Sequence, residues 1–122
     1  MCGFVGIWRK SGKRLPLQID ELSATFSHRG PDDAATADFG HALLGFRRLT
    51  IIDLSERGRQ PMENEDGTIS MVFNGEIYNY KLLRDELLNK GHIFKSDTDS
   101  ETILHLYEEE GEECVKRLRG MF

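Results

Sequence analysis

An α+β fold in layers is what this sequence of 122 residues predicts. Apolar and β-branched runs crowd the chain before Asn79, amphipathic helical repeats follow it, and Gly120-Met121-Phe122 reads as a strand about to resume. This order, strands and then helices, differs from the regular alternation of a parallel βαβ sheet. With 39% apolar residues the chain can fill one modest core, so a single globular unit is expected.

Phe4 to Trp8 reads as a short apolar strand, followed by the polar turn Arg9-Lys10-Ser11-Gly12-Lys13. Leu17 to Phe26 places Leu17, Leu22 and Phe26 near helical spacing, and Gly30-Pro31 stops that helix before a loop through Asp32-Asp33. Phe39 to Leu49 and Thr50 to Asp53 suit one or two buried strands, with Gly40 and Gly45 marking bends or close backbone approach. Ser55 to Asn64 reads as polar loop. In Thr68 to Asn79 two strand-like runs flank Asn74-Gly75, the sequence of a type I′ hairpin in which both central residues take positive φ. From an N-cap at Asn79, a helix to Lys90 carries Leu82, Leu83, Leu87 and Leu88 on one stripe, with Gly91 placed for a left-handed cap. A second helix spans about Ser100 to Glu110 with Ile103, Leu104 and Tyr107 inward, and a short third one runs from Glu112 to Arg119.

The formal net charge of -5, with both signs mixed, argues against nucleic acid or an anionic membrane surface as partner. No apolar run approaches the roughly 18 residues of a membrane span, and the first residues lack the basic-then-apolar order of a signal peptide, so a cytoplasmic location is expected. Cys2 and Cys114 are too few for a disulfide framework. His28, His41, His92 and His105 lack a metal-ligand spacing, and no metal site is expected.

A cysteine directly after Met1 has a distinctive chemistry, because aminopeptidases remove Met before a small residue. The Cys2 thiol, with a pKa of about 8.5, would then share its residue with an α-amine of about 7.7 to 8.0, which can act as its base. A small buried residue at a strand start is the plainer alternative. Asn74 and Gly75 can supply a side-chain amide and a backbone N–H to a developing oxyanion, or simply make a turn. Arg47 or Arg48 could grip a carboxylate with two prongs, or sit solvated at a strand end. Asp97, Asp99 and Glu101 could bind an ammonium group or cap the helix that follows.

Met1-Cys2-Gly3-Phe4-Val5-Gly6, His28-Arg29-Gly30-Pro31-Asp32, Arg48-Leu49-Thr50-Ile51-Ile52-Asp53 and Asn74-Gly75-Glu76-Ile77-Tyr78-Asn79 occur together and in order. Together with Ser96-Asp97-Thr98-Asp99-Ser100-Glu101 and Leu118-Arg119-Gly120-Met121-Phe122, they resemble class II glutamine amidotransferases, most closely the amidotransferase domain of glutamine-hydrolysing asparagine synthases. The resemblance covers essentially the whole chain. It implies the N-terminal-nucleophile hydrolase fold, a four-layer αββα sandwich, of which residues 1–122 would be the N-terminal part and therefore incomplete. It implies Cys2 as nucleophile with its own amine as base, and Asn74 with Gly75 as oxyanion hole. Arg48 then pairs the glutamine carboxylate, Asp99 receives the ammonium, and Leu49, Ile51 and Glu76 make secondary contacts, with Arg29 in support.

The implied reaction hydrolyses glutamine to glutamate and ammonia through a Cys2 thioester and needs no metal or cofactor. ATP and magnesium belong to a synthetase domain that follows in the family, is absent here, and passes the ammonia to an acceptor such as aspartate. Amidation of a different acceptor, as in aminosugar or purine-pathway relatives, is a sibling reading. A non-catalytic interaction or regulatory module that keeps the scaffold is a reading from another class. Assembly into a homodimer is left open.

Overall fold

The computed structural model describes residues 2–10 and 18–122. Strand β1, Gly3–Trp8, is followed by the short helix α1, Ile19–Ala24, and a 3-10 turn at Ser27–Arg29. Strands β2, Asp33–Asp38, and β3, Ala42–Arg48, come next. A 3-10 turn at Glu56–Gly58 leads to the two-residue strands β4, Met62–Glu63, β5, Ser70–Met71, and β6, Glu76–Ile77. Helices α2, Tyr80–Asn89, and α3, Asp99–Glu110, precede a 3-10 stretch, Gly111–Arg117, and strand β7, Gly120–Met121. Strands predominate before Asn79 and helices after it, as expected, and the chain is α+β.

The largest sheet is antiparallel in the order β1-β3-β2, with Phe4 opposite Phe46 and Ala35 opposite Phe46 from the other side. Helix α1 covers the face carrying Val5 and Gly45. A Cβ on Gly45 would lie 3.1 Å from Ile19 and 3.5 Å from Ser23, so the missing side chain lets the helix approach. The opposite face presents Phe4 and Trp8, both exposed. The main core lies elsewhere: Leu83 and Leu87, one helical turn apart on α2, pack with Leu106, Ile77, Cys114 and Leu118. Each such leucine contributes about 1.5–3 kcal/mol by burial.

Several expectations hold. Gly91 takes φ +101°, and the bonds Gly91 N–H to Leu88 O and His92 N–H to Leu87 O make the Schellman closure that ends α2. Gly40 turns between β2 and β3 with φ +78°. The resuming strand exists as β7, paired with β6.

Others are corrected. Asn74-Gly75 makes no type I′ hairpin: neither residue has positive φ, and β5 and β6 pair with different partners, β4 and β7. The hairpin lies upstream, β4 to β5, where Gly67 supplies φ +71° and the buried Asn64 accepts from Ile69 N–H at 3.0 Å. The presumed loop from Ser55 to Asn64 therefore contains β4, and Thr50 to Asp53 is no strand. Asp33 begins β2 instead of continuing a loop; its strand, Asp-Ala-Ala-Thr-Ala-Asp, carries little β propensity and is held by the register of β3.

The first helix is shorter than expected, and Leu17 and the Ser11 to Lys13 part of the first turn lie outside the described residues. Leu82 and Leu88 are exposed, leaving Leu83 and Leu87 as the buried pair. Asn79 does not cap α2 with its side chain; its amide donates to Arg117 O at 3.0 Å and accepts from Arg119 N–H at 2.9 Å, tying α2 to β7. In α3 Leu104 and Leu106 are buried and Ile103, partly buried, packs on the core as expected, whereas Tyr107 is exposed. The third helix is 3-10 and ends at Arg117.

Candidate active site

Cys2 stands just before β1, and the antiparallel register with β3 brings it to the end of that strand. Its Sγ accepts the Leu49 N–H at 3.3 Å and lies 3.6 Å from the Leu49 carbonyl oxygen. The Cys2 carbonyl accepts from Arg29 Nε at 3.0 Å. The thiol is half-buried. Met1, whose removal the N-terminal chemistry requires, lies outside the described residues.

The segment His28 to Asp32 fixes the Arg48-Leu49-Thr50 turn against the thiol. Gly30 touches β3 so closely that a Cβ would stand 2.3 Å from the Arg47 carbonyl carbon. Asp32 N–H donates to Arg48 O at 3.0 Å, and its carboxylate accepts from Thr50 N–H at 2.8 Å and Thr50 Oγ1 at 2.7 Å. Those bonds hold the Asp32 carboxyl below the usual range.

Arg48 is buried and is not a solvated strand end. Its guanidinium donates to Ser55 O at 2.7 Å and to Asp53 O, and Gly58 leaves room for it: a Cβ there would lie 2.4 Å from Nη2. These are carbonyl contacts, so the cation has no carboxylate partner among them. Asp53 organises the same loop. The Ser55 hydroxyl, then Asp97 N–H at 3.1 Å and Ser55 N–H at 2.8 Å, stabilise its carboxylate and lower its pKa to about 2.

Asp99 opens α3 and is buried, which pushes its carboxyl pKa up despite a bond from Ile77 N–H at 2.7 Å. A buried carboxylate in this position favours a positively charged neighbour. Its bond to Ile77 reaches outside the helix that it opens. Asp97 instead meets Arg84 at 3.4 Å, and Glu101 folds back on Lys95 N–H at 2.6 Å and Ser96 N–H at 2.7 Å.

These groups enclose a small cleft of about 90 Å³. It is lined by Cys2, Arg48, Leu49, Ile51, Gly75, Glu76 and Asp99, which are all of the predicted site residues except Asn74. Asn74 is half-buried outside that lining. Gly75 abuts β7, where a Cβ would lie 2.4 Å from Met121 O, so the end of the chain sets the position of this peptide. Sequence reasoning missed Phe46, Gln60, Phe73 and Thr98 in the wall. For Thr98 the neighbouring Asp99 was the available signal. The others converge through pairings that no local pattern announces.

The other thiol is of a different kind: Cys114 belongs to the apolar core, and burial, with Glu110 nearby, raises its pKa. Two histidines also depart from the expected scatter, since the rings of His92 and His105 lie 5.0 Å apart. Among the described residues no helix is long and apolar enough to cross a membrane.

A half-buried thiol, a buried arginine and a buried carboxylate thus line one cleft of an α+β fold. The family model described as a glutamine amidotransferase domain matches residues 1–122, and the chain belongs to that family. Among the chain's relatives, asparagine synthetase [glutamine-hydrolyzing] 1 of Bacillus subtilis (strain 168) is 45% identical over 126 residues, covering 100% of this chain and 20% of its own length. Asparagine synthetase [glutamine-hydrolyzing] 2 of Arabidopsis thaliana is 44% identical, with 100% and 21% covered. A probable asparagine synthetase [glutamine-hydrolyzing] of Dictyostelium discoideum is 42% identical, with 100% and 22% covered. The chain thus spans about a fifth of the length of the curated relatives it matches.

Proposed function

We propose that this chain carries the glutaminase half-reaction of an asparagine-synthetase-type amidotransferase, with Cys2 as the nucleophile once Met1 is removed. The observation that carries this reading is the convergence of Cys2, Arg48 and Asp99 on one cleft. Free glutamine brings a carboxylate, an ammonium and a neutral amide, and each meets a complementary group. The substrate carboxylate pairs with Arg48, whose donors exceed those used by Ser55 O and Asp53 O. The ammonium pairs with Asp99, while Leu49, Ile51 and Glu76 shape the wall.

The Cys2 α-amine takes the thiol proton, and the thiolate attacks the glutamine δ-carbonyl carbon. Gly75 N–H and the Asn74 amide stabilise the oxyanion, Asn74 turning toward the cleft as substrate enters. The tetrahedral intermediate expels ammonia, which leaves with the proton held by the amine. Water then cleaves the γ-glutamyl thioester, giving glutamate and restoring the thiol. No metal or cofactor enters this half-reaction.

By likeness to the named relatives, an ATP- and magnesium-dependent synthetase part supplies the acceptor chemistry, with aspartate as the acceptor. The four-layer αββα sandwich belongs to the same reading. Its support is the part of the β1-β3-β2 sheet face beyond the buried Phe46, where Phe4 is 52% and Trp8 70% exposed and a second sheet has room to pack.

Intact-mass analysis after treatment with a glutamine-like diazoketone tests the assignment. One adduct per chain, mapped to Cys2 and competed by glutamine, is expected of Met1-free protein. An adduct on Cys114 instead, or ammonia release that survives Cys2→Ala, would overturn it.

A further inference from the structure

The hairpin β4 to β5, the turn after α2 and the middle of α3 bring Glu65, His92, His105 and Glu108 together, and none of the four lines the cleft. One ligand atom from each of the four lies within 4.8 Å of all the others. Both imidazoles present Nδ1 to the same two carboxylates. His105 Nδ1 is 2.9 Å from Glu108 Oε2 and 3.4 Å from Glu65 Oε2. His92 Nδ1 is 3.5 Å from Glu108 Oε2 and 3.8 Å from Glu65 Oε1.

Three of the four groups are held from behind by hydrogen bonds. Glu108 Oε1 accepts from the Asn64 amide at 2.7 Å, and Glu65 Oε1 accepts from Ile93 N–H at 3.0 Å. His92 Nε2 faces Glu109 Oε1 at 3.1 Å. His105 Nε2 is buried without a hydrogen-bond partner and faces Glu101 Oε1 at 3.6 Å. A carboxylate behind each imidazole is the arrangement that orients a metal-binding histidine, with the proton on the far nitrogen and the lone pair on the near one. With that tautomer, two Nδ1 lone pairs and two carboxylates point at one another, and only a positive charge makes this favourable. Two imidazolium rings 5.0 Å apart would supply it at the cost of their mutual repulsion. One divalent cation supplies it at the common centre.

We propose that Glu65, His92, His105 and Glu108 form a binding site for a single divalent transition ion of the zinc class. Bonds of about 2.0 Å in tetrahedral geometry place ligand atoms about 3.3 Å apart, and the four nitrogen–oxygen separations above bracket that value. Mixed imidazole and carboxylate ligands suit zinc, cobalt or nickel over magnesium or calcium. Bound there, the ion joins the β4–β5 hairpin to α3, the helix that begins at Asp99.

The experiment is titration of chelator-treated, tag-free protein with Co²⁺, followed by visible d–d absorption and by displacement with Zn²⁺. A Cys2→Ala background removes the more accessible of the two thiols. One equivalent with the strong bands of tetrahedral cobalt is expected, together with a rise in melting temperature on adding Zn²⁺. His92→Ala, in the turn after α2, should weaken binding at least about 100-fold, and Glu109→Gln about 10- to 100-fold, with unchanged circular dichroism. His41→Ala should change nothing. Absence of saturable binding at 100 micromolar Co²⁺, octahedral spectra only, or equal affinity in His92→Ala would overturn the site.

Discussion

Cys2 and Asp99 are ordinary residues whose surroundings give them work. The sulfur is held by the Leu49 N–H, and the carboxylate is buried beside the Ile77 N–H. Asp99→Asn keeps the hydrogen-bond acceptor for Ile77 but removes the charge. A charge-assisted bond to the substrate ammonium is worth about 1.5–3 kcal/mol, so KM for glutamine should rise about 10- to 100-fold with a smaller change in kcat. Steady-state ammonia release measures this, and an unchanged KM would remove Asp99 from the substrate site. Asp53 makes a prediction about pH. Its folded pKa of about 2 lies below the ordinary 3.8, so its stabilisation is fully present above about pH 4 and fades as pH falls toward 2. Asp53→Asn should therefore be less stable than the parent at neutral pH and converge with it in acid. Urea midpoints from pH 2 to 7 test this; parallel curves would show that Asp53 is not the group responsible.

At the scale of elements, α2 shows how two local devices combine. Leu83 and Leu87 give it a buried stripe, and Gly91 ends it in a conformation that L side chains resist. Gly91→Ala should cost about 1–2 kcal/mol, read as a lower unfolding midpoint with unchanged glutamine kinetics. Leu87→Ala removes a side chain 1% exposed and should cost about 2–5 kcal/mol. Equal losses for the two variants would mean that the cap matters more than its geometry suggests. Strand β2 teaches the opposite lesson. Its Asp-Ala-Ala-Thr-Ala-Asp sequence has no strand signal, yet β3 pairs with it along its length because β3 has two edges to satisfy. Likewise, Asn74-Gly75 has the local grammar of a hairpin and does not make one, because β6 finds β7 instead.

Across the whole molecule, the site depends on contacts between distant segments. Gly30 presses on the Arg47–Arg48 backbone, Gly58 makes room for the Arg48 guanidinium, and Gly75 lies against Met121. A Cβ at Gly30 must displace backbone, so Gly30→Ala should destabilise the protein by about 1–3 kcal/mol and also slow Cys2 alkylation by the glutamine analogue. Loss of stability with unchanged labelling would show that the clamp on β3 does not set the thiol's position.

The sequence by itself determined the α+β class, β1, most of β3, helices α2 and α3, the Gly91 cap and seven of the residues that line the cleft. These rest on periodicity and backbone preference, which act over a few residues, or on motifs long enough to identify the family. Only the tertiary structure decided that Arg48 is buried against carbonyl oxygens, that Asp53 braces the loop beside it, and that β4 and β5 form the hairpin. It alone brought His92 and His105 together on two shared carboxylates. Two-residue strands have no period to read, and a side chain's partner across 40 residues is set by the packing of everything between them.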